Sequence, residues 1–203
     1  MDITVKDFIK ELSSKAPVPG GGGASALIGA IGVSLCSMVA NLTSGKQKYA
    51  PYQEDIDLVL ARTGKSINKI LDLVQKDADV FEPLSAAYGI PKDEPGRDKK
   101  LEHALRNACS VPMNILRDVS NIVDIVELLS VKGSKIAVSD VGVAASACRC
   151  SMESAVMNVY INTKLMQDRE YAEKINEEAK FILADGVGRC NKVYQKITNE
   201  LMN

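Results

Sequence analysis

The sequence predicts an all-α fold, an antiparallel bundle of about six helices with a small-residue helix at its centre, in a single domain covering residues 1–203. Apolar residues recur at three- and four-residue spacing along four long stretches. No stretch shows a convincing alternation of apolar and polar residues, and turn signals are confined to short segments. Helices of this length indicate that oligomerisation completes the core.

The composition is typical of a globular protein with an aliphatic core. Hydrophobic residues make up 46% of the chain, but only six Tyr and three Phe occur, and there is no Trp. The 25 Lys and Arg residues nearly balance the 26 Asp and Glu residues, so the formal charge is −1. Because phosphate binding needs a basic surplus or a basic patch, this balance argues against a nucleic-acid partner.

The first part of the chain combines a charged helix with a long uncharged segment. Thr4 to Leu12 is charged and amphipathic, unlike a signal peptide. Ala16 to Gly45 has no charged residue, where about seven are expected. Its apolar part, Ala24 to Leu42, is almost long enough to span a bilayer, but it consists largely of Ala, Gly and Ser. We therefore expect no membrane association and instead a fully surrounded helix, with close approach at Ala26, Gly29, Ala30 and Gly32.

Four apolar patterns with helical spacing follow this segment. They run from Ile56 to Phe81, from Leu101 to Leu129, from Val141 to Val159 and from Ile175 to Leu201. Pro112 lies inside the second pattern and is expected to kink or split that helix. Loops are predicted around residues 16–23, 45–51, 89–96 and 132–139.

The cysteine and histidine content argues against a metal site. Five cysteines form no C-x-x-C pair, and Cys148 and Cys150 would point about 200° apart on a helix. His103 is the only histidine, so a histidine-based zinc site or a Ser-His-Asp triad is hard to assemble. The thiols are expected to be reduced, in a cytoplasmic protein.

The most informative interruption of the helical pattern is the segment Pro17 to Ala26. It formally satisfies G-x-G-x-x-A, but no strand precedes it, and no Gly-Lys-Ser/Thr ends it as in a P-loop. Four successive glycines let a ligand reach the backbone, and the N–H groups that open the following helix attract an anion. The alternative is a flexible turn that caps a buried helix, and both remain open at this point.

An ordered set of motifs resembles the cyclodeaminase/cyclohydrolase family over nearly the whole chain. The first is Pro17-Val18-Pro19-Gly20-Gly21-Gly22 with the small-residue helix after it. The others are Leu42 to Lys46, Asp77 to Phe81, Ala108 to Pro112, Ser139-Asp140 with Ala144-Ala145, and Asn158 to Asn162. That family includes the C-terminal domain of formiminotransferase-cyclodeaminase and stand-alone methenyltetrahydrofolate cyclohydrolases.

The resemblance implies a helical folate enzyme that works as a dimer or a higher oligomer of dimers, without a metal or redox cofactor. The cyclohydrolase reaction adds water to 5,10-methenyltetrahydrofolate and yields 10-formyltetrahydrofolate. The cyclodeaminase reaction closes 5-formiminotetrahydrofolate to the methenyl form and expels ammonia. Both reactions pass through a tetrahedral carbon and need proton transfer.

The resemblance also suggests roles for particular residues. Asp140, Asp77 and Lys46 are the catalytic candidates, with Lys46 polarising a developing anion or binding glutamate carboxylates. The substrate-binding candidates are Pro19, Gly20, Gly21, Gly22, Gly23, Asn158 and Asn162. Asp140 has an alternative role as a helix N-cap, and the two asparagines, four residues apart, have one as a buried hydrogen-bonding pair.

Of the two reactions, we favour cyclohydrolysis because the sequence contains no fused formiminotransferase domain. Formiminotetrahydrofolate cyclodeaminase is the close alternative. A third possibility, from another class, is a non-enzymatic helical assembly module in which the glycine segment is only a hinge.

Overall fold

The computed structural model describes residues 4–203 and confirms the all-α prediction, with no strand in that part of the chain. An eight-residue helix precedes six helices of ten residues or more. The helices are α1 (Val5–Leu12), α2 (Gly21–Thr43), α3 (Gln53–Tyr88), α4 (Arg97–Ser120), α5 (Val123–Lys132), α6 (Val138–Leu165) and α7 (Arg169–Met202). Two 3₁₀ turns, Gln47–Tyr52 and Lys135–Ala137, occupy predicted loops.

Helices α2 and α6 form an antiparallel pair at the middle of the bundle. Gly21, at the start of α2, lies against Asn158 near the end of α6. At the other end, the Ser134 N–H donates to Thr43 Oγ1 at 2.8 Å. We call the end where α2 begins and α6 finishes the pocket end, and the opposite end the far end.

Small residues set the distance between these two helices, as predicted. A Cβ at Gly29 would stand 2.7 Å from Ser151 Oγ, and one at Gly32 would stand 2.9 Å from Cys148 Sγ. Neither distance is compatible with a side chain, so the backbones approach only because both positions are glycine.

The expectation that α2 is fully surrounded is wrong. It packs against α3, α4, α5 and α6, yet Ile31 remains 52% exposed, and Met38 and Leu42 on the same side are also exposed. By length and composition α2 is the one described helix able to cross a membrane, and 56% of its most apolar window is buried in the bundle. Four neighbouring helices leave one side of α2 uncovered.

Pro112 does not split its helix, contrary to one of the two outcomes expected. Helix α4 continues through it to Ser120, and the chain turns at Asn121 and Ile122 instead. Arg62 holds this turn, since it donates to the Asn121 carbonyl at 2.7 Å and pairs with Asp124 at 2.6 Å. One guanidinium group thereby bonds both the carbonyl that follows α4 and a carboxylate in the first turn of α5.

The predicted glycine loop is also shorter than expected, because α2 begins at Gly21 and includes three of the four glycines. Two contacts hold these residues in a helical turn. The Ser25 hydroxyl donates to the Gly22 carbonyl at 2.7 Å, and the Gly23 N–H donates to Asp77 at 2.8 Å. A side chain from α3 therefore takes the place of a local N-cap.

Candidate active site

A cavity of about 300 Å³ opens at the pocket end, within the size range of small-molecule sites. Four parts of the chain form its walls: the segment before α2 with the first turn of α2, the C-terminal half of α3, the middle of α4 and the end of α6. The lining residues are Pro17, Val18, Gly20, Gly21, Gly22, Asp77, Val80, Phe81, Leu84, Tyr88, Ala108, Pro112, Asn158, Ile161 and Asn162.

Asp77 is the one charged side chain in this lining. Its carboxylate accepts the Gly23 N–H, and a Cβ at Gly22 would lie only 2.0 Å from Asp77 Oδ1. Burial raises the pKa of Asp77 above its usual value of 3.8, and the hydrogen bond from Gly23 opposes that rise. Asp77 is thus a half-buried carboxylate, pressed against the backbone, with a pKa moved toward the range useful for proton transfer.

The first turn of α2 supplies donors to the same cavity. The N–H groups of Gly21 and Gly22 have no carbonyl one turn earlier within the helix, and no acceptor elsewhere in residues 4–203 takes them. Both residues line the cavity. Because glycine has no side chain, a ligand can approach these N–H groups directly.

Asn158 and Asn162 contribute oxygen atoms. The Asn158 amide donates to the Ser154 carbonyl at 3.0 Å, and the Asn162 amide donates to the Asn158 carbonyl at 2.8 Å. One N–H of each amide is thereby bonded to its own helix, which leaves Oδ1 free as an acceptor and the second N–H free as a donor. The Asn158 amide lies beside Gly21. Both asparagines line the cavity, and their internal bonds also match the structural alternative.

Residues 4–181 match the family described as Formiminotransferase-cyclodeaminase. The chain belongs to this family.

Individual relatives cover the chain almost end to end. It is 34% identical over 202 residues to the methenyltetrahydrofolate cyclohydrolase of Methylorubrum extorquens, covering 98% of this chain and 97% of that protein. It is 29% identical to the formimidoyltransferase-cyclodeaminase of Rattus norvegicus, of which it spans 35%. The crystal structure of formiminotetrahydrofolate cyclodeaminase from Thermotoga maritima superposes with a TM-score of 0.85 at 29% identity, over 97% of this chain and 98% of that one.

The apolar wall of the cavity was not predicted from the sequence. Phe81, Leu84 and Tyr88 recur at helical spacing on α3 and face the cavity with Ile161 from α6. That spacing is also the signature of a core-facing helix, so the sequence offers no signal to separate a cavity wall from a core. Burial raises the pKa of Tyr88.

Two of the catalytic candidates lie at the far end instead. Asp140 is 18 residues before Asn158 on α6, or about 27 Å along the helix axis. Lys46 follows the end of α2, which is about 33 Å from Gly21, and its side chain is exposed. Within one chain, neither side chain reaches the cavity.

The alternative role of Asp140 as an N-cap is wrong. Ala137 occupies the N-cap of α6, and Asp140 is the third residue of that helix. Its charge still favours the helix, because an acidic side chain in the first turn complements the helix dipole.

No group of three or more His, Cys, Asp or Glu side chains among the described residues is arranged to hold a metal ion. All five cysteines are free thiols. Burial raises the pKa of Cys36 to about 12 and that of Cys190 to about 11, so these two thiols stay protonated near neutral pH.

Proposed function

We propose that this protein is a methenyltetrahydrofolate cyclohydrolase, converting 5,10-methenyltetrahydrofolate to 10-formyltetrahydrofolate in folate one-carbon metabolism. The observation that carries the proposal is the single carboxylate of Asp77 in a cavity with no lysine, arginine or histidine among its described lining residues. The methenyl bridge is a cationic amidinium, which a lone carboxylate stabilises. The near full-length similarity to an enzyme named for this reaction adds support.

In the proposed mechanism, ionised Asp77 acts first as a base. It takes one proton from a water molecule as the water oxygen bonds to the methenyl carbon, and the cation becomes a neutral tetrahedral carbinol. Protonated Asp77 then delivers that proton to N5 as the bond between carbon and N5 breaks. The carbinol oxygen releases its own proton to water and becomes the formyl oxygen, so the reaction yields one net proton.

The remaining polar groups orient the substrate. The Gly21 and Gly22 N–H groups are donors for a ring carbonyl, while the oxygens of Asn158 and Asn162 are acceptors for ring N–H groups or for the attacking water. A cavity of about 300 Å³ suits the fused rings, and the rest of the folate extends outward. We expect no metal or redox cofactor to take part.

The direct test is the decay of 5,10-methenyltetrahydrofolate, followed by its near-ultraviolet absorbance. The protein is expected to accelerate this decay, and a rate equal to that in buffer would reject the cyclohydrolase proposal. Heat-inactivated protein at the same concentration is the control for buffer catalysis.

The second candidate is formiminotetrahydrofolate cyclodeaminase, favoured by the similarity in fold to the Thermotoga maritima enzyme of that name. Its substrate is also a cationic amidine, so the charge of the cavity does not separate the two reactions. Release of ammonia with formation of the methenyl chromophore from 5-formiminotetrahydrofolate would select it. If neither reaction occurs and calorimetry detects no folate binding, the non-enzymatic assembly module is favoured.

We further propose that the protein is a cytoplasmic homodimer, or an oligomer of such dimers, joined through α2 and α6. Each of these two helices leaves an apolar stripe on its surface with a spacing of three and four residues, interrupted on α6 only at Ser154. Together we call them the α2–α6 stripe, which consists of Leu27, Ile31, Leu35, Met38 and Leu42 on α2 and Val143, Ala147, Cys150, Met157 and Ile161 on α6. A repeat of this kind packs well against a second copy of itself.

A twofold axis perpendicular to α2 and α6 would place the far end of one subunit beside the pocket end of the other. Asp140 of the partner subunit and Lys46 of the partner subunit would then approach the cavity that Asp77 occupies. In this arrangement Asp77, Asp140 and Lys46 serve a single site, with Lys46 binding the glutamate carboxylates of the substrate.

Mixing two inactive variants tests the shared site. Asp77→Asn and Asp140→Asn are each expected to cut turnover with unchanged helical circular dichroism. After the two are unfolded and refolded together, half of the dimers are mixed and each holds one intact site, so about a quarter of the wild-type activity returns. Normal activity of Asp140→Asn alone would remove Asp140 from catalysis, and its loss without recovery on mixing would contradict the shared site.

A further inference from the structure

Pro112 removes a hydrogen bond from the wall of the candidate active site. A proline nitrogen carries no hydrogen, so the carbonyl four residues earlier, that of Ala108, has no donor from the next turn of α4. No side chain and no N–H group from outside α4 donates to this carbonyl among residues 4–203. Ala108 is only 6% exposed, so its carbonyl is a recessed acceptor that lacks the regular helical donor.

The Ala108 carbonyl, which lacks a donor at position 112, also lies at the wall of the cavity. Ala108 and Pro112 both line the cavity, one turn apart on the same face of α4. The carbonyl of Ala108 points along the helix toward Pro112, so it lies between these two lining residues. A proline ring in this position crowds the carbonyl four residues earlier and favours its tilting away from the helix axis. An unpaired buried acceptor costs free energy, which a ligand donor in the cavity recovers.

We propose that the Ala108 carbonyl is a specificity-determining acceptor that binds the 2-amino group of the pterin ring. This inference rests on the proposed folate substrate. The 2-amino group projects farthest from the ring system, so among the ring donors it reaches a recessed acceptor best. Ala108 acts through its backbone and Pro112 is a positioning residue, because the proline keeps the acceptor free.

The chain offers a matched control in Pro83. It lies inside α3 as Pro112 lies inside α4 and likewise frees the carbonyl four residues earlier, that of Asp79. Pro83 and Asp79 are exposed, and neither lines the cavity of Asp77. Because Asp79 is exposed, its carbonyl is open to bulk solvent, and we expect it to carry no specificity.

The experiment measures binding of 5-formyltetrahydrofolate and of its 2-desamino counterpart by calorimetry. The wild-type protein is expected to prefer the amino compound by about tenfold, since a site built to bond an N–H group rejects the analogue that lacks it. Pro112→Ala restores an N–H group that pairs with the Ala108 carbonyl, so the preference should fall to about one. Pro112→Val restores the same N–H group with a larger side chain and should do the same, while Pro83→Ala should keep the preference.

Three results would overturn the inference. One is an unchanged preference in both Pro112 variants. Another is an equal loss of affinity for both ligands in those variants, which indicates a structural role for the proline. The third is a wild-type protein that hydrolyses the methenyl substrate but binds the two ligands equally. Failure of the proposed function itself looks different, because the wild-type protein then neither binds reduced folates nor accelerates the hydrolysis.

Discussion

The two ends of the α2–α6 pair place charge in different surroundings. At the pocket end, one half-buried carboxylate, two free N–H groups and two amide oxygens converge on a cavity with apolar walls. At the far end, Lys46 and Lys48 are exposed to solvent, and Asp140 is only partly buried. Electrostatic interactions are strong where water is excluded and weak where it is not. Within one subunit, the pocket end is therefore suited to chemistry, and the exposed lysines of the far end to attracting an anionic substrate.

The largest expected effect comes from the carboxylate at the pocket end. Asp77→Asn keeps an oxygen to accept the Gly23 N–H but cannot take a proton, so kcat should fall by roughly 10²- to 10⁴-fold. The melting temperature should change little, because the hydrogen bond is retained. A kcat within a factor of three of wild type would show that Asp77 only caps α2.

The second largest loss of activity is expected when the close contact between Asp77 and α2 is disturbed. A Cβ at Gly22 would stand 2.0 Å from Asp77 Oδ1, so Gly22→Ala must displace the carboxylate. Displacing a catalytic group by about 1 Å costs about 100-fold in rate. Gly64→Ala is the matched control, since Gly64 is also helical and a Cβ there meets nothing within 4 Å. Equal activities of the two variants would mean that the contact is unimportant.

The pH dependence of the activity should also reflect the ionisation of Asp77 at the pocket end. Asp77 must be ionised to act as a base, and burial raises its pKa above the usual 3.8. Activity should therefore fall about tenfold per pH unit below this raised pKa, and the fall should begin at a higher pH than for an ordinary aspartate. The profile of kcat/KM measures this limb. Its persistence in the residual activity of Asp77→Asn would assign it to another group.

The smallest effect is expected at Lys46, an exposed lysine of the far end. Lys46→Ala should raise KM by about threefold at low ionic strength and have less effect at high salt, because an exposed charge is screened. Lys48→Ala is the control, since Lys48 lies over the ring of Tyr49, with its Nζ 5.7 Å from the ring centroid. Steady-state kinetics at two salt concentrations make the comparison. A fall in kcat for Lys46→Ala would instead place Lys46 at the reacting atoms.

The sequence predicts secondary structure better here than it predicts helix surroundings. The four apolar patterns each correspond to observed helices, and the glycines at positions 29 and 32 mark the close approach of α2 and α6. The exposed side of α2 was not predicted, because an apolar residue packed against a neighbouring helix and one left at the surface give the same sequence pattern. The first turn of α2 was assigned to a loop because glycine has low helix propensity, which the contact with Asp77 overrides.

The candidate site shows the same contrast between what the sequence predicts and what only helix packing decides. By itself the sequence determined the helices, through their 3.6-residue periodicity, and the resemblance singled out the glycine segment, Asp77, Asn158 and Asn162. Only the tertiary structure decided which of these groups meet. Gly23 and Asp77 are 54 residues apart in sequence yet share a hydrogen bond, whereas Asp140 lies on the same helix as Asn158 but at its other end. A helix advances about 1.5 Å per residue, so residues far apart on one helix never meet, and only the packing of different helices brings distant residues together.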